Sequence, residues 1–128
     1  MSSNIRVTGN LTKDPELKFA SSGIAYARFG LADTYKDKSG EENTTWYDVV
    51  VFGDNATNLS DSVRKGNRVT VSGRFSTKEF ERKDGTKGLA CEITADDISV
   101  DLRFATVQVS KTERRATANS GSSSYDDF

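Results

Sequence analysis

Thr45-Trp46-Tyr47-Asp48-Val49-Val50-Val51-Phe52-Gly53 decides how this chain folds. Its β-branched and aromatic side chains make it the strongest strand signal in the sequence. A strand sends successive side chains to opposite faces, so the stretch splits into two sets. Tyr47, Val49 and Val51 form a continuous apolar row suited to an interior. Trp46 and Phe52 then share the other face and point outward. Two large aromatics on an outer face need a reason beyond packing. Pattern alone leaves two readings open, a contact between subunits and a platform for a ligand.

Working outward from this strand, Gly53 changes the period. Ala56, Leu59 and Val63 recur at i, i+3 and i+7, which predicts one short helix on the sheet. Asp54 or Asn55 would cap its start, and Gly66 would stop it after Arg64-Lys65. Upstream, residues 24–32 read as a strand with Ala25, Ala27, Phe29 and Leu31 on one face. Residues 5–9 and 17–20 read as shorter strands around a turn at Asp14-Pro15-Glu16. Residues 36–44 are polar and read as an exposed hairpin loop. Downstream, strands run over 69–75 and 89–98, joined by a hairpin at Asp84-Gly85. Residues 104–109 add a possible extra C-terminal strand. Phe19, Phe29, Phe75 and Phe104 lie in apolar alternation and read as core. The order is that of an all-β fold with one short helix: a five-stranded Greek-key OB barrel whose helix plugs one end. A small β-sandwich or SH3-like barrel is the alternative.

Composition narrows the function. The 128 residues read as one domain over 1–110 and a disordered, Ser- and Thr-rich tail over 111–128. Eighteen basic against nineteen acidic groups give a net charge of −1, so a uniformly basic nucleic-acid binder is excluded. With no histidine and Cys91 alone, His-based triads, the usual zinc sites and an intrachain disulfide are excluded too. We expect no metal and no cofactor. The N-terminus lacks a secretory h-region and no apolar run would span a membrane, so the expected setting is cytoplasmic. The pairs Glu41-Glu42 and Asp96-Asp97 read as a solvated loop and a turn, since neighbours on a strand point apart and make no catalytic dyad. We expect no enzyme.

Local charge points elsewhere. Residues 64–90 hold eight basic and three acidic groups, a local +5. That segment contains Phe80, set among Lys78, Glu79, Glu81, Arg82 and Lys83. Aromatic faces for bases beside cations for phosphates are what non-specific single-strand binding requires. A local clamp across the hairpin is the other reading of Phe80. Tyr35, at the start of the polar loop, invites the same two readings.

Four blocks carry a resemblance. Residues 9–19 (GNLTKDPELKF), residues 45–53 and the run Val63-Arg64-Lys65-Gly66-Asn67-Arg68-Val69 followed by Val71-Ser72-Gly73-Arg74 are similar, in order and spacing, to bacterial single-stranded DNA-binding proteins. Residues 99–106 further resemble the actinobacterial branch, where an added C-terminal strand helps clamp subunits. The resemblance implies an OB fold, a homotetramer, and sequence-independent binding of single-stranded DNA in replication, recombination and repair, with nucleoid association. Its base-stacking aromatics fall on Trp46, Phe52 and Phe80, with Tyr35 matching a fourth. Its phosphate contacts fall among Lys36, Lys38, Lys65, Arg74, Lys78 and Arg82. Asp48 and Asp54 depart from relatives that carry a basic residue there, which weakens DNA binding. The acidic tip that docks replication and repair proteins corresponds to Asp126, Asp127 and Phe128, without the family's Ile-Pro. A dimeric OB relative of the primosomal type, acting mainly through protein contacts, is the alternative.

Overall fold

The computed structural model describes residues 3–112. The tail and the partner-binding tip at Asp126, Asp127 and Phe128 lie outside the described residues, apart from residues 111 and 112, which are exposed. Six strands and one helix follow in the order β1 (Ser3–Leu11), β2 (Glu16–Phe19), β3 (Ala25–Lys36), β4 (Glu42–Phe52), α1 (Asp54–Ser62), β5 (Arg68–Glu81) and β6 (Lys87–Val100). The sheet runs β1-β5-β6-β4-β3-β2, and Asn10 and Leu11 of β1 pair with Ala32 and Leu31 of β3. That last pairing closes five strands into the expected barrel and leaves β2 as a short strand on the edge of β3. β4 and β6 are the one parallel pair among these strands. No helix among the described residues is long and apolar enough to cross a membrane.

Alternation builds the core. Ala27, Phe29 and Leu31 of β3, Val49 and Val51 of β4, Val69 and Val71 of β5, and Ile93 of β6 are all buried. Val7 and Leu11 of β1 join them, and Ala56, Leu59 and Val63 cover one end of the barrel. Phe29 belongs to this core and Phe75 packs on its margin, edge-on to Tyr47 at 6.5 Å. Phe19 and Phe104 correct the sequence reading, being 68% and 78% exposed. Phe19 has the inward parity, but it sits at the end of the edge strand, where no further strand covers it.

The helix ends differ from expectation. Gly53, not Asp54 or Asn55, is the N-cap residue, and its carbonyl accepts from the Ala56 and Thr57 amides. The Asn55 side chain instead donates to the Asp96 carbonyl at 3.3 Å. The helix stops at Ser62, four residues before Gly66, because Val63 turns extended to bury its side chain. Arg64 Nη1 donates to the Ser60 and Val63 carbonyls, so a guanidinium satisfies acceptors at this end.

Asp96 and Asp97 are not a turn. They lie inside β6, where pairing passes from Ser72↔Asp97 to Gly73↔Ala95 and leaves Asp96 as an extra, bulged residue. A bulge switches the face to which later residues point. Ile93 and Ala95 face the core before it, and Ile98 and Val100 face it afterwards. Gly73 lets β5 approach at this point, since a Cβ there would overlap the Thr94 carbonyl.

The extra strand expected over residues 104–109 does not form; residues 101–112 hold neither strand nor helix. At the exit from β6 the adjacent strand, β5, is already paired on both edges, by β1 and β6. The chain anchors on Arg68 instead. Arg68 forms an ion pair with Asp101. The Asp101 amide donates to the Arg68 carbonyl at 3.0 Å. The Phe104 ring lies under the guanidinium groups of Arg68 and Arg103, at 5.9 and 6.0 Å.

Two outcomes follow. Gly73→Ala should lower stability in a urea titration by about 1–3 kcal/mol, because the added methyl meets backbone that cannot move aside. The Asp101 carboxyl is held below its ordinary range, first by the Arg68 hydrogen bond and then by the Arg103 amide. A depressed carboxylate stabilises above its unfolded value and loses that contribution as pH falls through the folded one. Amide protection of residues 101–104 should therefore drop as pH falls through and below the ordinary carboxylate range of about 4. Asp101→Asn should show the loss already at neutral pH.

Candidate nucleic-acid interface

Burying the odd-numbered residues of β4 commits the even ones to the outside. Trp46 is 64% and Phe52 51% exposed. Backbone pairing then sets their neighbours in rows across the outer face. One row reads Arg74–Thr94–Val50–Arg28–Glu16, from β5 across β6, β4 and β3 to β2. The next reads Ser76–Glu92–Asp48–Gly30. Lys78 pairs with Ala90, and Phe80 with Gly88, on the same face of the β5–β6 hairpin. Lys36 pairs with Glu42 where β3 meets its loop. A shallow groove of ≈ 410 Å³ opens on this face between Thr12, Lys13, Arg28, Gly30, Asp48 and Glu92.

Of the sequence-derived residues, Trp46, Phe52, Phe80, Arg74, Lys78 and Lys36 therefore share one surface. Arg82 lies against Phe80, while Lys38, Lys65 and Tyr35 stand apart. Lys38 lies in the loop between β3 and β4. Lys65 is at the closing corner of the barrel, its amide donating to Asp14 Oδ1 at 2.8 Å. Tyr35 pairs with Asn43, three residues along β3 from Ala32, the partner of Trp46. An odd offset puts it on the opposite face of the ribbon. It neighbours Tyr47 there. Burial, and then the nearby Asp33 carboxylate, hold the Tyr47 phenol above its ordinary range, with Tyr35 a smaller contributor.

At Phe80 the clamp geometry is present. A Cβ on Gly88 would lie 2.7 Å from Phe80 Cζ, so glycine alone lets the ring lie across β6. The Arg82 guanidinium sits 5.2 Å from the ring centroid, and its Nη1 donates to the Lys87 carbonyl at 2.9 Å. Phe80 nonetheless remains 43% exposed. Arg82 is thus held against the hairpin while remaining exposed.

Aspartates organise both hairpin tips. Asp37 accepts from the Ser39 amide and hydroxyl, the Glu41 amide and Asn43. Asp84 accepts from the amide and hydroxyl of Thr86. The Ser39 hydroxyl in one tip and the Thr86 hydroxyl in the other are the largest causes that hold these carboxyls below the ordinary range. Each aspartate is hydrogen-bonded within its own tip, so its charge is partly satisfied beside Lys36 and Lys38, or beside Arg82 and Lys83.

Sequence reasoning missed two outer-face residues. Arg28 stands opposite Val50, between the rows of Trp46 and Phe52. Tyr26 stands opposite Phe52, with ring centroids 6.2 Å apart and planes tilted by 40°. The signal was available: once Ala25, Ala27, Phe29 and Leu31 face inward, Tyr26 and Arg28 must face out. Asp48 faces outward, as its parity requires, but the register adds Glu92 beside it. That adjacency spans 44 residues of sequence, and no local pattern reveals it.

Comparison with known proteins agrees with this architecture. The model of the single-strand binding protein family matches residues 3–101. A single-stranded DNA-binding protein of Paenarthrobacter aurescens is 37% identical over 123 residues, covering 91% of this chain and 72% of that protein. One from Mycobacterium tuberculosis is 38% identical over 128 residues, covering 92% and 76%. The crystal structure of a small single-stranded DNA-binding protein from Streptomyces coelicolor superposes with a TM-score of 0.70 at 28% identity, covering 83% of this chain and 98% of that one. A match over nearly the whole barrel, joined to relatives of this identity and coverage, places the chain in the single-strand binding protein family.

Proposed function

We propose that this chain binds single-stranded DNA without regard to sequence, through the outer face of β3, β4, β5 and β6. One observation carries the reading: Trp46 and Phe52 lie open on the same face as Arg74, Lys78 and Phe80. Stacking on such rings contributes about 1–3 kcal/mol per base and tolerates every base, since each has a π-face. Trp46 and Phe52 are six residues apart, about 20 Å along a strand. That span holds several nucleotides, with Arg28 and Arg74 placed for phosphates between the two rings. The Asp48–Glu92 row opposes phosphates, so the sugar-phosphate chain runs to either side of it. A binder rather than an enzyme follows from this reading, acting as a homotetramer in a cytoplasmic, nucleoid-associated setting, as the family resemblance implies.

Trp46 is the only tryptophan, so its fluorescence reports on the platform directly. Oligo-dT should quench it strongly, and duplex of equal length should not. Affinity should fall with salt at about −0.7 in the log–log slope for each phosphate contact. Unchanged fluorescence with either ligand would move Trp46 to a protein interface and sink the proposal. Asp48→Asn combined with Glu92→Gln should tighten oligo-dT binding on the order of fivefold at low salt, with the gain shrinking as salt rises. Looser binding by that variant would show that the two carboxylates face bases rather than phosphates.

A further inference from the structure

We infer that Tyr26 and Lys18 form an additional binding position for single-stranded nucleic acid, continuing the platform past Phe52 onto the edge strand β2. This rests on the reading of the outer face given above. Pairing sets Lys18, Tyr26 and Phe52 side by side on β2, β3 and β4. All three have the outward parity, because Leu17, Ala27 and Val51 between and beside them face the core. Phe52 and Tyr26 form a two-ring surface with centroids 6.2 Å apart. Planes tilted by 40° cannot both lie flat under one base, so they offer faces to two successive bases.

Lys18 supplies the matching cation. It stands one strand beyond Tyr26, about 5 Å away along the hydrogen-bonding direction. Its side chain is well exposed, and its ion pair with Glu16 is long, at 3.9 Å. Glu16 is held more closely by Lys13, at 3.3 Å. A phosphate arriving beside Tyr26 therefore meets an ammonium whose existing partner is already engaged. Among the described residues β2 is an edge strand paired only with β3, and no further strand covers this end of the platform. The ligand class is a single-stranded polynucleotide long enough to pass Phe52.

A plainer role competes. Tyr26 also serves as a prop that fixes the Phe52 ring. The two roles separate by ligand length. The test titrates the full chain and its Tyr26→Leu, Tyr26→Phe and Lys18→Gln variants with oligo-dT of about 8 and about 20 nucleotides. Trp46 quenching is the readout. A second readout is photocrosslinking to oligo-dT carrying 5-iododeoxyuridine, with the modified peptide identified by mass spectrometry. Circular dichroism checks that each variant is folded. Tyr26→Leu should weaken the longer oligomer about fivefold while leaving the shorter one nearly unchanged, and Tyr26→Phe should restore it. Lys18→Gln should weaken the longer oligomer and reduce its salt slope by about 0.7. Crosslinks should include Tyr26. Equal weakening of both lengths without a crosslink at Tyr26 assigns the prop role and overturns the inference. Intact Trp46 quenching in variants that bind both lengths normally overturns it as well, and leaves the platform standing. Absence of Trp46 quenching in the unaltered chain fails the platform reading itself.

Discussion

The parity of β4 governs everything on the surface of this molecule. Val49 and Val51 are fully buried among Leu31, Phe29, Val71 and Ile93. Each such side chain is worth about 1.5–3 kcal/mol in burial. A one-residue slip would bring Trp46, Asp48 and Phe52 inward and send both valines to water. A charged carboxylate in the core would add a far larger penalty. The outer row of Trp46, Asp48, Val50 and Phe52 is therefore not chosen separately from the core. It is the same decision read from the other side of the strand.

Closure transmits that decision to the neighbouring strands. β3 pairs with β4 along eleven residues, so its outer face is locked to that of β4. The parallel pairing with β6 fixes Asp48 beside Glu92 and Val50 beside Thr94. β6 must also reconcile this partner with β5, and the bulge at Asp96 does so by changing which residues face the core. Gly73 on β5 gives the room that the distortion requires. Beyond the barrel, β3–β4 and β5–β6 project as hairpins whose tips are organised by Asp37 and Asp84. The barrel core thus carries the outward rings, and two hydrogen-bonded tips carry cations beside them.

How much of this was legible in the sequence depended on distance along the chain. The β4 alternation, the inward row of β3 and the helix were readable because each is a local pattern. Tyr35 lies on the face opposite Trp46 because its face depends on the pairing of residues 33–36 with residues 42–45, which motif matching does not show. Phe19 and Phe104 read as core because apolar alternation does not reveal whether another strand lies above. The Asp96-Asp97 pair looked like a turn, since a bulge is defined by its partner strand and not by its own residues. Arg82 reads as a cation for a ligand, and only the hairpin register shows that Phe80 and the Lys87 carbonyl also hold it, across from Gly88. Tyr26 is the instructive omission. Its exposure followed from an alternation already recognised, and only its pairing with Phe52 required the fold.

A net charge of −1 leaves nucleic-acid binding to local charge, such as the +5 over residues 64–90, and to short-range stacking. Non-specific attraction to duplex DNA is almost wholly a matter of phosphate contacts and counterion release. On this face Arg28, Lys36, Arg74 and Lys78 stand against the Asp48–Glu92 row. Its exposed rings are Trp46, Phe52, Phe80 and, beside Phe52, the half-buried Tyr26. Duplex DNA keeps its base faces stacked on one another and cannot reach those rings without unpairing. A single strand offers base faces at no such cost. On the binding mode proposed above, stacking would then discriminate single strands from duplex more sharply than phosphate contacts alone. On that mode, Asp48 and Glu92 would oppose every phosphate chain, and most of all a ligand that offers phosphates but no base faces. If the outer face stacks bases as proposed, its mixed charge would help tell single strands from double.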